Sequence, residues 1–388
     1  MYASPPRILL RRGLGLAALA VIAAAGWWLF LRDAGEPGAS ESERGRAVAE
    51  RAQPGASLAV EKQADQVLLL GFEGTDASAP IVGELREREL GGVLVEQRNW
   101  PDAATGTALI GELSAAGRGG DRVPPLIVGT QEGGPYRSYA DLPPEQRQLD
   151  IGDGGSPDAA QAWAREAATA LRSAGFHLNL FPVADVATLD SPVADRAFSD
   201  DPATAARLTV AALRGCREAK LACAPLHFPG LGAASQDTAQ GPATVSVDPA
   251  TLAQRDLPPF RAAVEARAPA LVLSLALYAA YDPITPGALV PAIAGGMLRD
   301  ELGFQGVAIT DDLSSGAARA IYRAPEAAVA ALAAGADLIQ VSMPDDQARV
   351  RDAIVAAVES GDLDPARLAE AAGRVIELKR TLGLTPAE

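Results

Sequence analysis

Eight short apolar runs, spaced along the chain and separated by longer amphipathic stretches, constrain the fold more than any other feature. They are VLLLG (67–71), GGVLV (91–95), PLIVG (125–129), HLNLF (177–181), LACAP (221–225), ALVLS (270–274), GVAIT (306–310) and DLIQV (337–341). Each is apolar on successive residues instead of alternating, the pattern of strands buried on both faces. Between most of them lie stretches with helical periodicity, such as PDAAQAWAREAATALRSAG, PATAARLTVAALRGCREAK and PEAAVAALAAGA. Eight strand–helix units over about 320 residues predict an α/β chain folded as a (β/α)8 barrel. A doubly wound open sheet is the alternative, but it does not need eight units, and no Gly-x-Gly-x-x-Gly turn opens the first one. PARLAEAAGRVIELKRTLGL supplies a last helix, and no length remains for a second folded domain.

Ahead of the runs stands a different kind of segment. Residues 13–31, GLGLAALAVIAAAGWWLFL, carry no charge. At helical rise they reach about 28 Å, close to the roughly 30 Å hydrocarbon core of a bilayer. Arg7, Arg11 and Arg12 precede them, and Trp27 and Trp28 sit near the far end, where aromatic rings anchor at the interface. The expectation is a single-pass signal anchor over 13–31, with residues 1–12 cytoplasmic and the body exported. A cleaved signal peptide followed by secretion is the alternative, but its apolar core is usually only about 7–15 residues long. Residues 32–60 are rich in Gly, Pro, Ala, Ser, Glu and Arg and read as a flexible linker, leaving 61–388 for the barrel.

Charge narrows the partners. The chain has 34 Lys and Arg against 49 Asp and Glu, a net charge of −15. With the four arginines and no acid of residues 1–32 set aside, 30 basic residues face 49 acidic ones, −19. Such a body is repelled by nucleic acid, which is not an expected partner. His177 and His227 are the only histidines, and Cys216 and Cys223 the only cysteines. No metal site or cofactor is expected from so few ligands. In an exported domain the two cysteines either pair across the turn before the fifth strand or remain as buried apolar thiols.

In a barrel of this kind the chemistry belongs at the C-terminal strand ends. Those ends read GFEGT (71–75), EQRN (96–99), TQEGGPYR (130–137), PVADV (182–186) with ADRAFSDDP (194–202), LHFPGLGAASQDTAQGP (226–242), LALYAAYDP (275–283) and TDDLSS (310–315). Together with PAIAGGMLRDELGFQGVAITDDL, these segments in this order resemble glycoside hydrolase family 3, in its single-domain β-N-acetylglucosaminidase branch. The resemblance covers about residues 61–383. It implies a retaining β-N-acetylhexosaminidase acting on cell-wall or other amino-sugar glycans, with no cofactor.

Matched position by position, the resemblance implies that Asp311, directly after the seventh strand, is the nucleophile. Asp312 beside it matches a residue commonly present. Arg196 matches the sugar-binding arginine, and His227 matches the histidine of the His-Phe-Pro-Gly segment. Glu132 and Arg137, in QEGGPYR, join these as substrate-binding candidates. Asp237 matches the residue that orients the family's acid/base histidine. That histidine itself is replaced by Ala239. Leu226, Leu231, Leu275 and Thr130 stand where the family places a lysine, two histidines and an aspartate. A positioned general acid contributes about 10²–10⁴-fold in rate, so ordinary hexosaminide hydrolysis is expected to be impaired. Three outcomes stay open: a different glycoside with Asp237, Glu132 or Asp282 as the acid; a leaving group that needs none; or a catalytically degenerate carbohydrate-binding or scaffolding module at the cell envelope.

Overall fold

A computed structural model describes residues 55–119 and 122–384. The expected cytoplasmic N-terminus, anchor (13–31) and most of the linker lie outside the described residues. No helix among the described residues is long and apolar enough to cross a membrane.

Each of the eight apolar runs carries a strand: β1 Leu68–Leu70, β2 Gly92–Leu94, β3 Leu126–Gly129, β4 Leu178–Val183, β5 Ala222–Leu226, β6 Ala270–Leu273, β7 Val307–Thr310 and β8 Ile339–Val341. All are buried along their whole length, which is why they read as unbroken apolar runs. Six of them form one parallel sheet in the order β8-β1-β2-β3-β4-β5, and β6 pairs with β7 in a second, also parallel. Registers such as Leu69 with Gly92 and Leu178 with Ala222 run the strands side by side. Single parallel bridges join the two sheets at both edges, Phe228 with Leu273 and Ile309 with Leu338. A two-residue pair outside this set, Thr244–Val245 with Leu277–Tyr278, stitches together the loops that follow β5 and β6.

The crossover helices start and stop on local signals. Pro157–Ala174 has Pro at its first position, Ser156 accepting from the Ala159 N–H at 3.3 Å, and Gly175 in the left-handed region at its end. Pro202–Glu218 begins on Asp201, whose carboxylate accepts from the Thr204 N–H at 2.8 Å. The last described helix, Pro365–Thr381, returns to the N-terminal ends of β1 and β2. There the fully buried Lys379 donates to Gln66 Oε1 (2.7 Å) and to the Leu90 carbonyl (2.8 Å). A second buried tie is Asp337, just before β8, which accepts from Arg299, from Arg367 at 2.5 Å and from Arg374 at 3.1 Å.

Tertiary contacts fix where the folded body starts and how the two cysteines pair. Gly55 is buried against Ala369 and Gly373, and Gln63 Nε2 donates to the carbonyls of Gly55 (3.1 Å) and Leu58 (2.8 Å). Residues 55–60, expected in the linker, are therefore part of the folded body. Cys216 and Cys223 form a disulfide across the helix–strand turn ahead of β5, with Cα atoms 6.2 Å apart.

Candidate active site

The strand ends bring most of the candidate residues into two connected groups. Arg196, on a short 3-10 turn in the loop after β4, forks onto Glu132 from the loop after β3. Its Nε lies 2.8 Å from Oε2 and one terminal nitrogen 2.7 Å from Oε1; the other reaches Asp237 Oδ2 at 3.4 Å. The guanidinium also lies over the Tyr136 ring, 5.7 Å from its centroid. Burial disfavours the Arg196 charge, but Glu132 and then Asp237 outweigh it and raise its pKa further. A planar fork between two carboxylates suits arginine and no other side chain.

Asp311 forms the second group. Its N–H donates to the Leu273 carbonyl at 2.9 Å, which holds it beside the C-terminal end of β6. One carboxylate oxygen accepts from the Asp312 N–H at 2.8 Å, and the other lies 3.5 Å from Thr238 Oγ1. Thr238 belongs to the Asp237–Ala239 loop, and its carbonyl accepts from the Ala317 N–H at 3.1 Å. Position 316 is glycine for a steric reason, since a Cβ there would meet Ala239 and Gln240 backbone atoms at 3.0–3.1 Å. The loop carrying Ala239 is thus packed onto the turn that follows Asp311.

His227 sits behind both groups. Its Nδ1 is 2.8 Å from Asp185 Oδ2, and Asp185 Oδ1 accepts from the Leu231 N–H at 2.7 Å. Burial disfavours the imidazolium, yet the Asp185 carboxylate beside it outweighs burial and raises the pKa above the ordinary histidine value.

The other candidates divide. The Asp312 carboxylate accepts from the Ser342 hydroxyl and N–H and from the Ser314 N–H, tying the β7 and β8 loops together. Burial is the main reason that its pKa is raised. Arg137 donates to the Gly134 carbonyl at 3.0 Å and lines a small cavity of about 190 Å3 with Gln97, Thr130, Tyr136 and Arg196. Thr130 is bonded to Ser138 at 2.7 Å. Leu226, Leu231 and Leu275 are all buried, while Ala239 is exposed. Asp282 accepts from the N–H groups of Ile284 and Thr285, which hold its pKa below the usual carboxylate range, the wrong direction for a proton donor.

Three contributors escaped sequence reasoning, although each lies in a segment after a strand. Asp185, fully buried, orients His227. Arg98 donates to the carbonyls of Phe72 and Ser342, both at 3.1 Å, clasping the loops after β1 and β8. Glu96 pairs with Arg98, and burial, reinforced by the charge of Asp312, pushes its carboxyl up to about 7. A carboxyl two residues beyond the end of a buried strand was the available signal for Asp185 and Glu96.

The model described as the glycosyl hydrolase family 3 N terminal domain matches residues 59–378. A beta-hexosaminidase of Stenotrophomonas maltophilia (strain K279a) is 34% identical over 321 residues, spanning 79% of this chain and 91% of that protein. One from Xylella fastidiosa (strain M12) is 35% identical over 290 residues, spanning 72% and 84%. Among solved structures, a family 3 beta-N-acetylglucosaminidase from Paenibacillus sp. str. FPU-7 superposes with a TM-score of 0.80 at 30% identity. The superposition covers 86% of this chain and 64% of that one. A beta-N-acetylhexosaminidase from Beutenbergia cavernae DSM 12333 gives 0.75 at 29% identity, covering 84% and 99%.

Proposed function

The chain belongs to glycosyl hydrolase family 3, as a β-N-acetylhexosaminidase-like member, and from that premise we propose that it cleaves amino-sugar glycosides by a retaining mechanism with Asp311 as nucleophile. The eight parallel strands are read as one (β/α)8 barrel, with its mouth at their C-terminal ends. The observation that carries the proposal is the placement of Asp311 at the end of β7, against Thr238 of the Asp237–Ala239 loop. The Asp311 carboxylate attacks the anomeric carbon as the bond to the leaving oxygen breaks, and water then releases the sugar from the glycosyl-enzyme. Arg196, held by Glu132 and Asp237, presents the polar face to ring hydroxyls. Arg137 and His227 complete the sugar-binding surface.

Ala239 has no proton to give. Glu132 and Asp237 are both engaged by the Arg196 guanidinium, at 2.7 and 3.4 Å, so neither carboxylate stands free to replace the missing donor. The proposed substrate therefore has a leaving group that departs with little protonation. A panel of aryl N-acetylglucosaminides and glucosides of graded leaving-group pKa tests this. Turnover is expected on the most activated members, to be lost in Asp311→Asn. Ala239→His should raise rates on poor leaving groups by about 10²-fold or more, and less on good ones. No turnover by the wild type on the most activated substrate, or full activity in Asp311→Asn, overturns the proposal. A second reading, a carbohydrate-binding module without turnover, draws support from the three buried leucines at positions 226, 231 and 275. It predicts sugar binding without hydrolysis across the whole panel. In either case the domain is proposed to stand outside the cell on its N-terminal anchor.

A further inference from the structure

A cavity lies at the other end of the strands from Asp311, beside the starts of β5 and β6. It measures about 530 Å3, within the range of small-molecule sites. Leu213, Leu221, Leu378 and Leu382 line it together with the Cys216–Cys223 disulfide, so its walls are mainly apolar. Around it stand Arg172, Arg217, Lys220 and Arg267, all exposed, and no acidic residue. None of the four has an acidic partner among the described residues. In a body with 49 acids against 30 bases beyond residue 32, four cations around one apolar cavity, none paired with an acid among the described residues, are a local reversal of charge.

Backbone conformation gives a second, independent observation. Lys220 and Arg267 have φ of +58° and +59° and are the only non-glycine residues with positive φ among those described. Both occupy helix-to-strand turns. The corresponding turns before β4, β7 and β8 use Gly175, Gly303 and Gly335 there, with φ of +100°, +67° and +126°. A Cβ disfavours this conformation, so glycine is the residue that folding alone selects. At the two turns that open onto the cavity, long cationic side chains take its place. Arg217 joins these turns by donating to the Ala266 carbonyl at 2.7 Å. Strain of this kind is characteristic of sites with a task.

We propose that this cavity binds an anionic amphiphile, an alkyl chain with a phosphate or carboxylate head. The chain fills the leucine-lined space and the head meets Lys220, Arg267 and the two neighbouring arginines. The test uses the full chain in phosphatidylcholine nanodiscs. Diazirine-bearing dodecyl phosphate, dodecanoic acid and dodecanol are photo-crosslinked to it, and the labelled peptides are mapped by mass spectrometry. Labelling around residues 213–222 and 378–383 is expected to be about tenfold stronger with at least one of the anions than with the alcohol, a margin in keeping with charge-assisted contacts. The stronger anion identifies the head group. Glycine accepts positive φ without strain, so Lys220→Gly/Arg267→Gly should melt at the same or a higher temperature while losing the preference for the anion. Equal labelling by dodecanol, no labelling of these peptides, or an unchanged preference in the double variant overturns the proposal.

Discussion

Arg196 concentrates the energetics of the mouth in one side chain. It is largely buried, with side-chain exposure of 14%, and faces Glu132 at 10% and Asp237 at 22%. Such a pair gains little over a well-packed apolar substitute, but removing one member strands the charge of the other. Arg196→Met is therefore expected to lower the unfolding free energy by about 3–5 kcal/mol, read as a lower urea midpoint at unchanged slope. Arg196→Met/Glu132→Gln should recover part of that loss, because only Asp237, the more exposed and more distant of the two carboxylates, is then left facing the guanidinium's position. A wild-type midpoint in the single variant would show that the cluster contributes nothing to stability.

At the scale of elements, the helix Pro365–Thr381 is held to the helix Val60–Gln66 by a buried amine. Burial lowers the Lys379 ammonium to about 7, and its two acceptors, Gln66 and Leu90, are matched by the two N–H groups of the neutral form. The folded-state pKa lies below the unfolded value of about 10.4, so between these limits the unfolded chain binds more protons. Stability should accordingly be full above about pH 10, fall as pH drops toward 7, and level off below. The change attributable to this one group is roughly 3–5 kcal/mol. Denaturant titrations from pH 6.5 to 10 on wild type and Lys379→Met check this. The variant should lose the slope, and a slope that survives would place its origin elsewhere. The disulfide ahead of β5 adds a covalent staple at the same end of the strands.

For the molecule as a whole, charge and topology point the same way. The body carries −19, and its cationic cavity lies at the strand N-termini, away from the mouth. Under the proposed anchoring, the full-length chain should remain with membranes through high-salt and carbonate washes, and externally added protease should reach residues 61–388. Recovery of a soluble chain beginning near residues 35–40 would show a cleaved signal instead.

What the residues alone determined follows from local chemistry. Buried parallel strands must be apolar on successive positions, so all eight could be located from the sequence. The helices Pro157–Ala174 and Pro202–Glu218 carry their own caps and prolines. The segments after the strands named Asp311, Arg196, Glu132, His227 and Asp237 through family resemblance. Sequence did not determine which of these meet. Arg196 and Glu132 are 64 positions apart and form one fork only because β3 and β4 are neighbours. Asp185 joins His227 across 42 positions for the same kind of reason, β4 lying beside β5. The pairing of Cys216 with Cys223 needed the helix–strand geometry as well as the spacing. Four cations scattered between Arg172 and Arg267 read as ordinary surface charges along the chain. Only the tertiary structure, by bringing two helix–strand turns and the end of the last helix to one cavity, places them around an apolar space.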